Sequence, residues 1–244
     1  LTKNNQVKII ELNLRASRSF PFVSKVLKHD LIELATRAML LDDVQPISKS
    51  VFEIDYVGVK TSQFSFHRLK GADPVTGVEM TSTGEVGCFG ESVKEAYLKG
   101  LLSTGVRLPK KNVLVSISGD ENRYEVLESV RTLADKGFRI FATEHTHEFF
   151  GRYGIITELL HKIHEQREPN ILTFLKEKRI EMVLSIPKIS EKKQEINDTY
   201  MIRRIAVDYS VPVINNVQLI RLLADALTTL SQEDLKILAW DEYE

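Results

Sequence analysis

The sequence predicts a mixed α/β fold, with an α+β part first and a part built on a parallel sheet after it. Between residues 51 and 90, short β-rich segments are separated by turn residues, a pattern typical of antiparallel strands. From residue 113 to about 230, short apolar segments alternate with amphipathic helical ones, which favours a parallel sheet with helices on both faces. A chain of 244 residues is long enough for two modest cores, so we expect two domains.

Before the antiparallel strands, the chain is predicted to form one strand and one helix. The apolar run over residues 7–12 predicts the strand, and apolar residues three and four apart predict a single helix over 21–40. The β-rich segments that follow predict four strands, over 51–57, 63–66, 75–80 and 85–89. A helix over 91–102 is expected to close this part.

A polar and basic stretch over residues 104–112, broken by Gly105 and Pro109, is the strongest linker candidate. We therefore place a first domain at residues 1–107 and a second at 108–244. In the second domain the predicted strands cover 113–117, 138–142, 180–186 and 211–214. The predicted helices cover 121–136, 170–178, 198–209 and 217–230.

Composition excludes several classes of protein. The 33 Lys and Arg residues against 34 Asp and Glu argue against a generally basic, nucleic-acid-binding surface. The single cysteine, Cys88, cannot form an internal disulfide or a thiolate metal cage, which favours a reducing compartment. No run of about 18 apolar residues is present, so we expect no membrane partner. Because the chain opens on Leu1 and not on Met, we expect it to be cut from a longer protein.

A candidate metal and phosphate site lies at the end of the first predicted strand. Glu11 and Asn13 are two residues apart, so both oxygen-bearing side chains would point to one face of the strand. A carboxylate and an amide oxygen suit a hard cation such as Mg²⁺, and Arg15 and Arg18 could neutralise phosphate oxygens just beyond it. Taken alone, the pattern favours the simpler alternative, a polar strand end whose glutamate pairs with an arginine.

A second candidate site lies where the predicted strand 138–142 ends. Thr143 and Thr146 follow it at the start of a helix, where free N–H groups and the helix dipole favour anions. In an open parallel sheet the ligand crevice lies beyond the carboxyl ends of the strands. An N-cap role for either threonine is the alternative, and both roles can hold together. His161 and His164 have a spacing that permits metal ligation, but no acidic or cysteine partner stands at a matching interval.

Three spaced segments closely resemble the second ATP-grasp synthetase unit of the carbamoyl phosphate synthetase large chain, the unit that phosphorylates carbamate. They are IELNLRASRSFPFVSK at 10–25, FSFHRLKGADP at 64–74 and EMTSTGEV at 79–86. The resemblance implies that residues 1–107 form the α+β carboxyl-terminal part of an ATP-grasp domain, with ATP and Mg²⁺ or Mn²⁺ as cofactors. It implies that Glu11 bridges two metal ions, that Asn13 is a second metal ligand, and that Arg15 and Arg18 stabilise the transferring phosphoryl group.

Residues 113 to about 230 resemble the carboxyl-terminal regulatory domain of the same family, a Rossmann-like parallel-sheet domain that shares its fold with methylglyoxal synthase. The specific segment is GFRIFATEHT at 137–146. The resemblance implies an allosteric site for a small phosphorylated or anionic effector. The residues it implies at that site are Thr143, Thr146, Lys162 and Arg123, and Ser185 is a further candidate at a position where this chain departs from its relatives. Departures after Ile186 and over 211–218 leave the effector's identity open and argue against activation by ornithine.

The leading expectation is the carboxyl-terminal portion of a carbamoyl phosphate synthetase large chain, part of an ATP-dependent carbon–nitrogen ligase and inactive when isolated. Its expected partners are the rest of the large chain and a glutaminase subunit or domain, within an oligomer located in the cytoplasm or the mitochondrial matrix. A stand-alone nucleotide-sensing or anion-sensing module without catalysis is the alternative, and a methylglyoxal-synthase-type lyase ranks last because no glycine follows Ile186 in the expected phosphate loop. The ammonia source stays open, as does the pathway, whether arginine, pyrimidine or urea synthesis.

Overall fold

The computed structural model of the chain describes residues 2–9, 12, 14–17, 19–40, 43–47, 50–75, 81–187 and 193–243. An α+β part comes first, and a five-stranded parallel sheet flanked by helices follows it. The predicted mixed α/β fold is therefore confirmed. In the described part of the chain, no helix combines the length and the apolar character that a membrane span requires.

The chain begins with a small hairpin of strands β1 (Thr2–Lys3) and β2 (Gln6–Val7). Its turn residues, Asn4 and Asn5, have φ angles of 54° and 59°, in the left-handed region that asparagine tolerates better than most residues. Beyond Val7 the described residues Lys8 and Ile9 are not in a strand. The strand expected over 7–12 is thus wrong over 8–9, because the chain already reverses direction at the asparagines.

Two helices replace the single one expected over 21–40: α1 (Phe20–Leu27) and α2 (Leu31–Met39). Lys28 ends α1 with a left-handed φ of 55°, and the carboxylate of Asp30 caps α2 by accepting two backbone N–H groups. The spacing of apolar residues continues across this break, so hydrophobic periodicity alone predicted one helix.

The antiparallel sheet of this part has two strands, β3 (Val57–Gln63) and β4 (Gly84–Gly90). The strand expected over 85–89 is confirmed by β4. The strands expected over 51–57 and 63–66 are wrong except at Val57 and Gln63, which are the two ends of β3. The first segment begins with the 3₁₀ turn Val51–Glu53, and a second 3₁₀ turn, Phe66–Arg68, starts at the last residue of the other segment. Of the strand expected over 75–80, only Val75 lies within the described residues, and it is not in a strand.

Helix α3 (Val93–Ser103) follows the hairpin and confirms the helix expected over 91–102. It lies so close to β3 that a Cβ atom at Gly100 would be 2.1 Å from the hydroxyl oxygen of Thr61. Only glycine allows this approach. The buried face of α3 is shared with the second part of the chain, since Tyr97, Leu98 and Leu101 belong to the core beneath the parallel sheet.

The second part is a five-stranded parallel sheet in the order β7-β6-β5-β8-β9. Its strands are β5 (Asn112–Ile117), β6 (Arg139–Ala142), β7 (Glu158–Leu159), β8 (Met182–Ile186) and β9 (Val213–Ile214). Its helices are α4 (Asp120–Asp135), α5 (Glu144–Arg152), α6 (Ile171–Lys176), α7 (Lys193–Asp208) and α8 (Val217–Thr229). The alternation of strands and helices predicted from the sequence is confirmed, with the ends of the elements shifted.

Helices cover both faces of the parallel sheet. Val113 and Val115 point into the core beneath α4, α5 and α8, whereas the intervening Leu114 points into the core beneath α6 and α7. Strands buried on both faces read as continuous apolar runs, which is why the sequence revealed them. The expected linker 104–112 is packed on the first of these cores through Val106 and Leu108, and it is not a free connection.

Two buried arginines of α7 join the parallel-sheet part to residues 66–74 of the first part. Arg203 donates from Nε and Nη2 to both carboxylate oxygens of Asp73, at 3.0 and 2.6 Å. Arg204 donates from Nη1 to three backbone carbonyl oxygens at 3.0, 3.1 and 2.9 Å, those of Phe66, Leu69 and Ala72. A buried charge is costly unless it is paired, so α7 and this segment depend on each other.

We expect Arg204→Met to lower the free energy of unfolding by about 3 kcal/mol, because three carbonyl groups lose their shared donor and Asp208 loses its partner. Urea unfolding measures the loss, and hydrogen exchange of the backbone amides over 64–74 should accelerate.

The control is Arg221→Met on α8, where the exposed guanidinium has no partner among the described residues and a change below about 0.5 kcal/mol is expected. An equally small effect of Arg204→Met would contradict the structural role assigned to Arg204.

Candidate functional site

Most of the predicted metal and phosphate site lies outside the described residues, namely Glu11, Asn13 and Arg18. Arg15 is described and exposed, and its Nη1 donates to the carbonyl oxygen of Ala16 at 3.3 Å. Within the described residues, no group of three or more His, Cys, Asp or Glu side chains could hold a metal ion. The roles expected of these four residues stay predictions.

Four hydroxyl side chains are buried together at the carboxyl edge of the parallel sheet. Ser116 lies near the end of β5, Ser185 lies opposite it on β8, and Thr143 and Thr146 begin α5 directly after β6. Each is at most 5% exposed. Three of them are residues predicted from the sequence, whereas Ser116 was missed, although a serine inside the apolar run VLVSI was a visible signal.

Hydrogen bonds connect these hydroxyl groups. The Oγ1 of Thr143 lies 3.4 Å from the Oγ of Ser116 and 3.2 Å from the Oγ1 of Thr146. The Oγ1 of Thr146 accepts the backbone N–H of Ile117 at 3.2 Å. The cluster therefore fastens the first turn of α5 to the end of the neighbouring strand β5.

The beginning of α5 is not capped by a side chain. Thr143 is the N-cap residue, but its side chain makes no cap hydrogen bond and turns toward Ser116 and Thr146. Thr146 lies inside the helix, so neither threonine serves as a side-chain N-cap. The first N–H groups of a helix have no partner within it, and they favour an anion here.

Ser185 carries an unmatched polar atom at the same edge. Its side chain is 0% exposed, and its Oγ has no hydrogen-bond partner among the described residues. Leaving a buried hydroxyl unpaired costs about 1–3 kcal/mol. A ligand that reached this group would offset that cost.

Lys162 follows β7 and reaches a buried carboxylate on α7. Its Nζ lies 3.4 Å from Oδ2 of Asp198, and Nδ1 of His164 lies 2.7 Å from Oδ1 of the same residue. His161 instead pairs with Glu165, at 3.0 Å. Sequence reasoning missed Asp198, because its partners lie more than thirty residues earlier in the chain and no local pattern connects them.

Arg123 lies in the second turn of α4 and is held against the end of β5. Its Nε donates to the carbonyl oxygen of Ile117 at 2.9 Å, and its Nη1 pairs with Asp120 at 2.5 Å. The same carbonyl accepts the hydroxyl of Thr146 at 3.3 Å. The structure thus brings Arg123 and Thr146 together at the predicted edge, with the charge of Arg123 already paired.

A family model described as MGS-like domain matches residues 125–215. The chain contains an MGS-like domain. The match includes Thr143, Thr146, Lys162 and Ser185, whereas Arg123 precedes it. Part of the chain can also be superposed on a crystal structure of methylglyoxal synthase from Elizabethkingia anophelis NUHP1. The match covers 55% of this chain and 90% of the methylglyoxal synthase chain, with 15% sequence identity and a TM-score of 0.40.

Nearly the whole chain is also similar to segments of much longer proteins. Multifunctional protein URA2 of Saccharomyces cerevisiae is 44% identical over 236 residues, which are 93% of this chain and 11% of that protein. Mitochondrial carbamoyl-phosphate synthase [ammonia] of Homo sapiens is 38% identical over 247 residues, which are 98% of this chain and 16% of that protein. The resemblance to carbamoyl phosphate synthetases is confirmed, and the chain spans less than a fifth of either relative.

We expect Thr146→Val to lower the free energy of unfolding by about 1–3 kcal/mol. Valine keeps nearly the shape of threonine but lacks the hydroxyl group that bonds to the buried N–H and carbonyl groups of Ile117. Thermal or urea unfolding measures it.

Thr132→Val is the matched control, since the exposed Thr132 hydroxyl bonds only to the carbonyl oxygen of Glu128 in the same helix. A change within about 0.5 kcal/mol is expected. Equal effects of the two substitutions would show that the hydroxyl cluster of the MGS-like domain does not stabilise this edge.

Proposed function

We propose that this chain is the carboxyl-terminal portion of a carbamoyl phosphate synthetase large chain, and that residues 108–244 bind a small anionic effector at the carboxyl edge of the sheet. The observation that supports this most strongly is the uncapped start of α5 beside the buried hydroxyl groups. Free helix amides and hydroxyl donors together match the oxygens of a phosphate or a carboxylate. Similarity to carbamoyl-phosphate synthases over nearly the whole chain supports the wider assignment.

In the proposed site each polar group has its own task. The amides of α5 and the hydroxyls of Thr143 and Thr146 hold the anionic group, and Ser185 donates its unpaired hydroxyl to the same ligand. Lys162 supplies a positive charge, which it now shares with Asp198. An anion would therefore compete with Asp198 for Lys162, and the affinity depends on that exchange.

The same helix that carries Asp198 also contacts the first part of the chain. About one and a half helical turns beyond Asp198, Arg203 and Arg204 hold residues 66–74 through Asp73 and three carbonyl groups. We propose that a change in the Asp198 contact on effector binding is passed along α7 to this segment. Allostery requires such an element, one whose position both sites influence.

For residues 1–107 we propose the carboxyl-terminal part of an ATP-grasp domain that phosphorylates carbamate in the complete enzyme. Glu11 and Asn13 would hold Mg²⁺ or Mn²⁺ on the phosphates of ATP, and Arg15 and Arg18 would stabilise the phosphoryl group in transfer. The rest of the large chain and a glutaminase subunit or domain are the proposed partners, within an oligomer. Alone, the chain should bind effector without making carbamoyl phosphate.

We expect an anionic effector to raise the melting temperature of the chain. The probes are uridine monophosphate, inosine monophosphate and acetylglutamate, each tested by thermal shift and then by calorimetric titration. Lys162→Met should weaken the probe that binds by about tenfold or more, since a charge-assisted contact is lost.

Lys110→Met is the control, because Lys110 lies at the opposite, amino-terminal edge of the sheet and should leave binding unchanged. If none of the probes binds, or if both substitutions weaken binding equally, the proposed effector site is wrong.

In the full-length enzyme, we expect Glu11→Ala to abolish carbamoyl phosphate formation and to leave effector binding intact, because the loss falls on the metal and phosphate site only. A coupled assay of carbamoyl phosphate measures the first and calorimetry the second.

Glu121→Ala, on the exposed side of α4, is the control and should keep full activity. Retained synthesis in the Glu11 variant would overturn its assignment. Effector binding by a natural protein that never makes carbamoyl phosphate would favour the stand-alone sensing module.

A further inference from the structure

A cavity of about 510 Å³ lies between strand β4, helix α3 and the carboxyl-terminal segment 231–243. None of its lining residues belongs to the candidate effector site. Small-molecule sites commonly have volumes of roughly 300–1,000 Å³ and lie where two parts of a protein meet. The size and the place of this cavity therefore match a ligand site.

The walls of the cavity are largely apolar. Phe89 and Leu102 line it from the first part of the chain, and Leu238 and Trp240 line it from the carboxyl-terminal segment. Leu238 and Trp240 remain 40% and 51% exposed. A molecule that covered these side chains would remove apolar surface from water, which is favourable.

Tyr243 holds the carboxyl-terminal segment in place, so the cavity exists before any ligand arrives. Its hydroxyl accepts from Nζ of Lys99 at 2.8 Å and donates to the carbonyl oxygen of Phe89 at 3.1 Å. Desolvation alone would lower the pKa of Lys99, but hydrogen bonds to Glu95 and Tyr243 outweigh it and raise that pKa. A wall that is already ordered reduces the entropic cost of binding.

The cavity carries an excess of positive charge. Lys25, Lys99 and Lys236 line it, and no acidic residue of the described part of the chain does. Lys99 pairs with Glu95 at 2.6 Å and Lys236 pairs with Glu91 at 2.9 Å. The side chain of Lys25, in the last turn of α1, has no hydrogen bond or ion pair with any described residue. One ammonium group at the cavity therefore has no ion-pair partner among the described residues.

Lys25 also marks one end of the cavity. Lys25 and Trp240 line a neighbouring space of about 320 Å³, which is formed against the turn between α1 and α2. The two spaces therefore adjoin at these two side chains. Asp30, the acidic residue of the neighbouring space, has its carboxylate engaged in capping α2. The charged head of a ligand at Lys25 would stay near solvent while its apolar body filled the interior, which avoids burying an unpaired charge.

We propose that this cavity binds a small amphipathic anion, a molecule with an apolar body and a single carboxylate. The body lies against Phe89, Leu102 and Trp240, and the carboxylate meets the ammonium group of Lys25. A neutral molecule of the same shape keeps the apolar contacts and loses the ion pair. A cationic one is repelled. This site is independent of the effector site at the carboxyl edge of the sheet.

The chain contains two natural reporters of occupancy, since Trp240 is its only tryptophan and Cys88 its only cysteine, and both line the cavity. The probe is decanoate, titrated below its micellar concentration. We expect a saturable change in tryptophan fluorescence and slower reaction of Cys88 with a thiol reagent. Decan-1-ol and decyltrimethylammonium should bind about fivefold or more weakly.

Two variants separate charge from shape. Lys25→Met should weaken decanoate about fivefold and leave decan-1-ol unchanged, whereas Lys176→Met, in the last turn of α6, should change neither. Ser103→Phe places a ring on the exposed end of α3 at the cavity and should abolish both signals with the fold intact by circular dichroism. Absence of a saturable signal, equal affinity for the three probes, or undiminished binding to the Ser103 variant would overturn the proposal.

Discussion

The arrangement of this molecule depends on two buried arginines of α7, which the first part of the chain supplies with a carboxylate and three carbonyl groups. Arg203 and Arg204 are adjacent on α7 and at most 5% exposed. Asp208, on the same helix, contacts Arg204, but Arg203 obtains its carboxylate from Asp73, in a different part of the chain. Since burying an unpaired guanidinium costs several kcal/mol, α7 can pack on the sheet in this way only when residues 66–74 are in place. The packing of α7 in the second part therefore depends on contacts with the first.

Further contacts between the two parts include two exposed ion pairs and one buried aromatic contact. Lys94 pairs with Asp225 and Lys236 with Glu91, but both pairs are well exposed, and exposed ion pairs contribute about 0–1 kcal/mol each. Tyr243 adds a buried contact at the other end of the second part, with its ring 5.6 Å from that of Phe89. The second part is thus fastened at α7 and again beyond α8, which limits how far it can turn against the first.

The sequence predicted most accurately those strands and helices whose burial produces a regular pattern of apolar residues along the chain. Continuous apolar strands and amphipathic helices identified the parallel sheet, because both faces of such a sheet are buried. The break at Lys28 depends on one left-handed residue, which hydrophobic spacing does not register. Thr143 and Thr146 were predicted from the end of a strand and from the family resemblance, and Lys162 from the resemblance alone. Ser116 and Asp198 were missed, since their partners lie on other strands or helices. The sequence did not identify the roles of the two arginines of α7, because their partners lie about 130 residues earlier in the chain.

The charges at the carboxyl edge of the sheet are balanced before any effector binds, and this determines how the proposed site can respond. Lys162 is paired with Asp198 and Arg123 with Asp120. The permanent attraction for an anion then comes from the free amides of α5 and the hydroxyl groups, which act over short distances and select by geometry. An anion that draws Lys162 away leaves the buried carboxylate of Asp198 with His164 as its remaining partner. In the proposed allosteric route, that imbalance would act on α7, which is the helix that holds the first part of the chain.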